Sequence, residues 1–102
     1  MKIVNATPHD IKLNDGTVFP ASGQVARVSV NQVDDGDING IPVKKNTYGE
    51  VEGIPEPRDG VVYIVSAMVV GNSDRTDLVA PDTGNALRND QGHIVSVPGF
   101  VR

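Results

Sequence analysis

Residues able to do chemistry crowd one segment of this chain. Asn72-Ser73-Asp74-Arg75-Thr76-Asp77 is followed closely by Asp82-Thr83-Gly84, with Arg88 just beyond. An arginine presents a planar, permanently charged fork that matches a carboxylate or a phosphate. A threonine hydroxyl and the backbone N–H of a glycine add short donors that approach a ligand closely. Arg75, Arg88, Thr83, Gly84 and Asp77 therefore make a candidate site for a small anionic ligand. The rival arrangement is internal: Arg75 pairs with Asp74 or Asp77 and pins the loop, as short loops carrying both signs of charge tend to do.

Three other motifs are weaker. Asp35-Gly36-Asp37-Ile38-Asn39-Gly40 matches the first half of a calcium loop, with oxygens of Asp35, Asp37 and Asn39 at alternate positions and a glycine for the sharp turn. The twelfth position, where a bidentate glutamate belongs, is Asn46, and Pro42 stands at the eighth, so an acidic turn containing Asn-Gly competes. Asp82-Thr83-Gly84 matches the D-T-G of aspartic proteases, whose two carboxylates share a proton. Pro81 precedes it where an apolar strand should, which favours a plain turn. His9 beside Asp10 forms an acid–base pair only if folding supplies a third group, and His93 stands alone. Phosphate-loop, nucleophile-elbow and zinc-helix patterns are absent, so no cofactor, no catalytic residue and no metal beyond the half-matched calcium loop is expected. The reading is of a protein that is not an enzyme.

Composition narrows the partners. Thirteen acidic residues against nine Lys and Arg leave a net charge of −4, the wrong sign for gripping a phosphate backbone. Four per cent aromatic residues leave little for base stacking, so a nucleic-acid polymer is not expected. Apolar runs fall far short of the roughly 20 residues that cross a bilayer, so no membrane is expected. Met1 to Asn5 shows no secretory leader, and the chain has no cysteine, which together point to the cytoplasm.

The elements that must position these residues are strands. Seventeen valines stand against three leucines, and branching at Cβ suits a pleated sheet. The 102 residues fit a single domain, mainly β, a compact sheet or barrel-like fold of short strands and hairpins. Strands are expected at Lys2–Ala6, at 10–13 and 17–19 around Asn14-Asp15-Gly16, at Val25–Val30, and more weakly at Ile41–Lys45 and Tyr48–Glu52. Residues 34–40 read as an acidic loop, and Pro55 and Pro57 make 53–60 an extended connector. Val61–Val65 is the central strand. From Ser66 to about Gly71 a short helix capped by Ser66 competes with continued strand, and the helix is preferred. Leu78–Ala80 and a hairpin of 86–88 with 93–97 complete the chain.

Several pieces in this order carry a resemblance: Thr7-Pro8-His9, Pro20-Ala21-Ser22-Gly23 leading to Val25-Ala26-Arg27-Val28, Gly53-Ile54-Pro55-Glu56-Pro57, Tyr63-Ile64-Val65-Ser66 and Pro81-Asp82-Thr83-Gly84. The chain resembles a family of small β-rich proteins from bacterial genomes, prophages and tailed phages. The resemblance implies a phage or prophage context and supplies no mechanism. Within that context the expected role is a non-enzymatic, anti-defence binding protein. It would sequester a small anionic, nucleotide-like signal or occlude a host protein, acting as a homo-oligomer in the host cytoplasm. A virion accessory or decoration protein is the alternative, and a small hydrolase relying on Asp82, His9 or His93 is a third.

Overall fold

Val61-Val62-Tyr63-Ile64 forms β6, and the fold is organised around it. The computed structural model describes residues 1–102. On one side of β6 lies β1 (Lys2–Asn5), parallel to it, with Lys2 opposite Val61 and Asn5 opposite Ile64. On the other lies β7 (Leu78–Pro81), also parallel, with Tyr63 opposite Leu78. The C-terminal β10 (Phe100–Val101) closes the far edge antiparallel to β7, giving the order β1-β6-β7-β10.

Parallel neighbours need a crossover, and a short helix supplies one of them. Helix α1 spans Ala67–Gly71 between β6 and β7. Ser66 caps it, its Oγ accepting from the Val69 N–H at 3.3 Å, and Asn72 ends it by donating its side-chain amide to Met68 O at 2.8 Å. The helical reading of this segment holds, because a serine that bonds its own third residue stops the strand. Val69 turns inward and packs with Ala6, Ala26, Tyr63, Val65 and Leu78 as the core. Tyr63, Ile64, Val65 and Leu78 are fully buried, each stabilising the fold by roughly 1.5–3 kcal/mol.

The fold is mainly β with one short helix, as its composition implies, and its sheets are several and open rather than closed into a barrel. The remaining short ladders are two hairpins. Strands β2 (Ile11–Lys12) and β3 (Val18–Phe19) form one hairpin, and β8 (Leu87–Arg88) and β9 (Ile94–Ser96) form another. The two hairpins meet at a bridge between Leu13 and Val97, and Phe19 stacks against Phe100 with ring centroids 5.9 Å apart.

The largest departure from expectation is the segment 27–52. Instead of short strands flanking an acidic loop, it forms one long hairpin arm, β4 (Arg27–Ile38) paired with β5 (Ile41–Glu52). Residues 34–38 are strand rather than loop. The turn is confined to Asn39-Gly40, with φ of 53° and 81°. Two positive φ angles define the tight turn that continues the twist of its strands, and Asn-Gly is its preferred sequence. From Arg27 to Glu52 no side chain is fully buried. The arm accounts for a radius of gyration of 16.4 Å, against about 13 Å for a compact chain of this length.

At the arm's base two glycines are required by space. Gly49 lies where β5 bulges opposite Ser29, and a Cβ there would strike the Ser29 Oγ. Gly53 has φ of +92°, and a Cβ there would strike Val25 O.

Candidate functional site

Arg75 is where the anion clamp was expected, and the structure closes it on itself. Its Nε donates to Asp77 Oδ1 at 2.9 Å and its Nη2 to Asp77 Oδ2 at 2.7 Å, a bidentate pair. Nη2 also donates to Pro55 O at 3.0 Å, and the guanidinium carbon lies 5.9 Å from the centre of the Tyr63 ring. The pair is mostly shielded, the side chains keeping 17% and 11% of their exposure. Hydrogen bonds from Arg75 hold the Asp77 carboxyl below the ordinary carboxylate range, and Asp77 raises Arg75 in return. This is the internal arrangement: Arg75 fastens the loop before β7 to the connector before β6.

The other candidates do not gather around it. Arg88 lies in the β8–β9 hairpin, where Nη1 donates to Gly92 O at 2.8 Å. Thr83 and Gly84 belong to a single 3-10 turn, Thr83–Asn85, preceded by Asp82. The Asp82 carboxylate accepts from the Asn85 side-chain amide at 3.0 Å, so D-T-G is a turn in this chain. Thr83 lines a cleft of about 310 Å³ with His9, Asp10, Lys12 and Ser96, whereas Arg75 borders a different one. The cleft beside Arg75 also carries Glu50, Glu56 and Asp74. Three carboxylates around one neutralised guanidinium repel an anion.

In the Thr83 cleft two of the polar side chains are committed elsewhere. Asp10 accepts from the Ala21 N–H at 2.9 Å, and Ser96 Oγ donates to Asn14 Oδ1 at 2.6 Å. Folding does bring Thr83 and Ser96 near His9, but Ser96 is held by Asn14 rather than by a base. Asp35, Asp37 and Asn39 lie along an extended strand and its turn, so they do not wrap a cation as a calcium loop would.

A cleft that sequence reading passed over has the right sign. It opens between the start of β1, residues 20–24 and the connector before β6, with a volume of about 510 Å³. Lys2, Asn5, Ser22, Gln24 and Arg58 bring polar groups to it, and Tyr63 forms part of its wall. Lys2 and Arg58 are the only charged residues lining it, and neither forms an ion pair. The β1–β6 ladder places Lys2 beside Val61, and Arg58, whose carbonyl accepts from the Val61 N–H at 3.3 Å, lines the same cleft. Residues 2 and 58 are far apart in sequence, and only the parallel pairing of β1 with β6 reveals that they face one space.

The cleft rests on a rigid support. Asn5 is buried, and its amide donates to His9 O and Phe19 O, each at 2.7 Å. Its Oδ1 accepts from the Thr7 N–H at 3.0 Å and from Thr7 Oγ1 at 2.7 Å. Asn5 O takes the Ser22 hydroxyl at 2.7 Å, which fixes the 20–24 wall against β1. Thr7-Pro8-His9 is thus a turn organised by a buried asparagine.

No group of three or more histidine, aspartate or glutamate side chains converges as a metal site would require. No helix is long and apolar enough to cross a membrane. Comparison with protein-family models, with curated proteins and with solved structures finds no match to this chain.

Proposed function

We propose that this chain is a non-enzymatic binding protein of phage or prophage type that sequesters a small anionic, nucleotide-like signal of host defence. It would act in the host cytoplasm. The observation that carries the reading is the Lys2–Arg58 cleft, two unpaired cations facing a space free of carboxylates in a protein of net charge −4. A volume of about 510 Å³ falls in the range of small-molecule sites. Two cations lining one cleft suit an anionic ligand, and Gln24 brings a neutral amide to the same lining.

The test is retention and release. Purified protein is incubated with a nucleotide extract from defence-activated cells, separated from free solute, and then heated to denature it. A signal that leaves the free pool and returns intact on heating supports sequestration. A signal that is gone even after heating points to a hydrolase. Lys2→Ala and Arg58→Ala should each weaken retention about tenfold or more, since a charge-assisted hydrogen bond contributes about 1.5–3 kcal/mol. Full retention by both variants would remove the cleft from consideration.

A virion accessory role is the second reading, favoured by one observation. The arm projects two unpaired strand edges, the feature through which β-rich subunits add to an assembly. Co-purification with capsids would support it.

A further inference from the structure

Beyond its base, where Val28 and Val51 pack against the core, the 27–52 arm is a two-stranded ribbon that no other strand covers. β4 and β5 pair only with each other, and at the tip Ile38 and Ile41 stand opposite one another, 64% and 66% exposed. A lone two-stranded hairpin is marginal in water, and further strands are needed before it holds its shape. The two free edges are not equivalent. β4 is guarded by a bulge at Asp35-Gly36, with φ of 81° at Gly36, and by Asp34, Asp35 and Asp37. Bulges and clustered charge are the devices that keep an edge from pairing. The β5 edge is regular from Lys44 to Tyr48.

Charge on β5 is arranged head to tail. Lys44 and Lys45 lie toward the tip, Glu50 and Glu52 toward the base. A neighbouring β5 running the same way would set like charges side by side, whereas one running antiparallel would set Lys against Glu. The register adds a specific match. Gly49 and Glu50 together occupy the ladder position opposite Ser29, two steps from Thr47 toward the base, and Lys45 lies two steps from Thr47 toward the tip. A twofold axis through Thr47 would place Lys45 of each copy beside Glu50 of the other, on one face of the sheet.

We propose that the β5 edge is the interface with a second copy of this chain, the two arms joining antiparallel about Thr47 into a continuous four-stranded sheet. Pairing would satisfy the free backbone groups of both edges and supply the added strands that the ribbon lacks.

Charge reversal tests the orientation directly. Lys45 faces Val33 and Glu50 lies in the bulge, so neither holds an ion pair within its own chain, and Lys45→Glu and Glu50→Lys leave the arm's own contacts intact. By sedimentation and native mass spectrometry the 102-residue chain should form a dimer of twice its 10.8 kDa monomer mass. Each variant alone should lose that dimer through repulsion, and an equimolar mixture of the two should regain it, because every cross-arm pair then carries opposite signs. A wild-type chain that stays monomeric overturns the proposal. So does association that survives both reversals, or that fails to return on mixing. Hydrogen exchange on the wild-type chain supplies a readout independent of any variant. Amides of Lys44–Tyr48 should gain protection with rising protein concentration, and concentration-independent exchange there also counts against the interface.

Discussion

Replacing Asp77 with asparagine removes one charge from a shielded pair while keeping its shape, so the consequence can be worked out closely. Arg75 would lose one of its two bonds to residue 77, where an amide NH2 replaces an accepting oxygen, and keep a weaker bond to the remaining amide oxygen beside its bond to Pro55 O. An exposed ion pair contributes about 0–1 kcal/mol, and breaking a fully buried one costs about 3–5 kcal/mol. With 17% and 11% of their side-chain exposure left, Arg75 and Asp77 sit between these limits but nearer the buried one. Asp77→Asn should therefore destabilise the fold by about 2 kcal/mol at neutral pH, a fall in Tm of roughly 8–16 °C for a domain of this size. Acidity then separates this cause from others. The folded Asp77 carboxyl titrates below its ordinary value of 3.8, chiefly through hydrogen bonds from Arg75. Its contribution is complete above the unfolded pKa and is lost as pH falls through the lower folded value. The gap between wild type and variant should stay constant from neutral pH to about 5 and close below about 4. Thermal unfolding followed by circular dichroism across that range reads both quantities. An unchanged Tm at neutral pH would refute the reasoning, as would a gap that persists undiminished into acid.

Other perturbations reach different parts of the fold. Asn5→Ala strands the His9 and Phe19 carbonyls and the Thr7 N–H that its amide satisfies; unfolding in urea should show a loss of about 2–4 kcal/mol. Gly53→Ala must adopt a positive φ and displace Val25 O, so it should cost about 1–3 kcal/mol and loosen the base of the arm, visible as faster amide exchange near Val25 and Ala26. Lys44→Ala removes an exposed pair with Asp34 at 3.0 Å and should change stability by less than about 1 kcal/mol, serving as a surface control in the same urea titrations.

Much of the fold was legible because local chemistry and tertiary structure agree. Branched residues at Val61–Val62 and Ile64–Val65 announce a buried strand, and Ser66 announces the helix through its capping geometry. Asn39-Gly40 was visible as a turn, yet the polar, acidic stretch before it read as loop. Strand pairing, not burial, sets that backbone: Val33 faces Lys45 and Asp34 faces Lys44 across the arm. The parallel sheet was hidden because no local signal tells a strand which distant strand it will join. The candidate site suffered from the same limit. Arg75 was identified together with the internal pairing that it adopts, and Asp77 is its partner. Lys2 and Arg58 carry no motif, and they meet only through tertiary pairing. Asn5 was invisible for a related reason, since three of its four side-chain bonds reach backbone groups that any sequence would provide.

The pairing of β1 with β6 also sets a timetable. The Lys2 N–H bonds Gly60 O, and the ladder runs on from Val61 to Ile64, so the first strand has no seat until β6 has left the ribosome. At about 5–20 residues per second this is a wait of roughly 3–12 s, during which Ile3 and Val4 travel as an unpaired, apolar edge. Parallel contacts of such long range also form slowly once their partners exist. The nascent chain is therefore a candidate client for chaperones that recognise short aliphatic segments as they emerge, and its yield in a cell should depend on them.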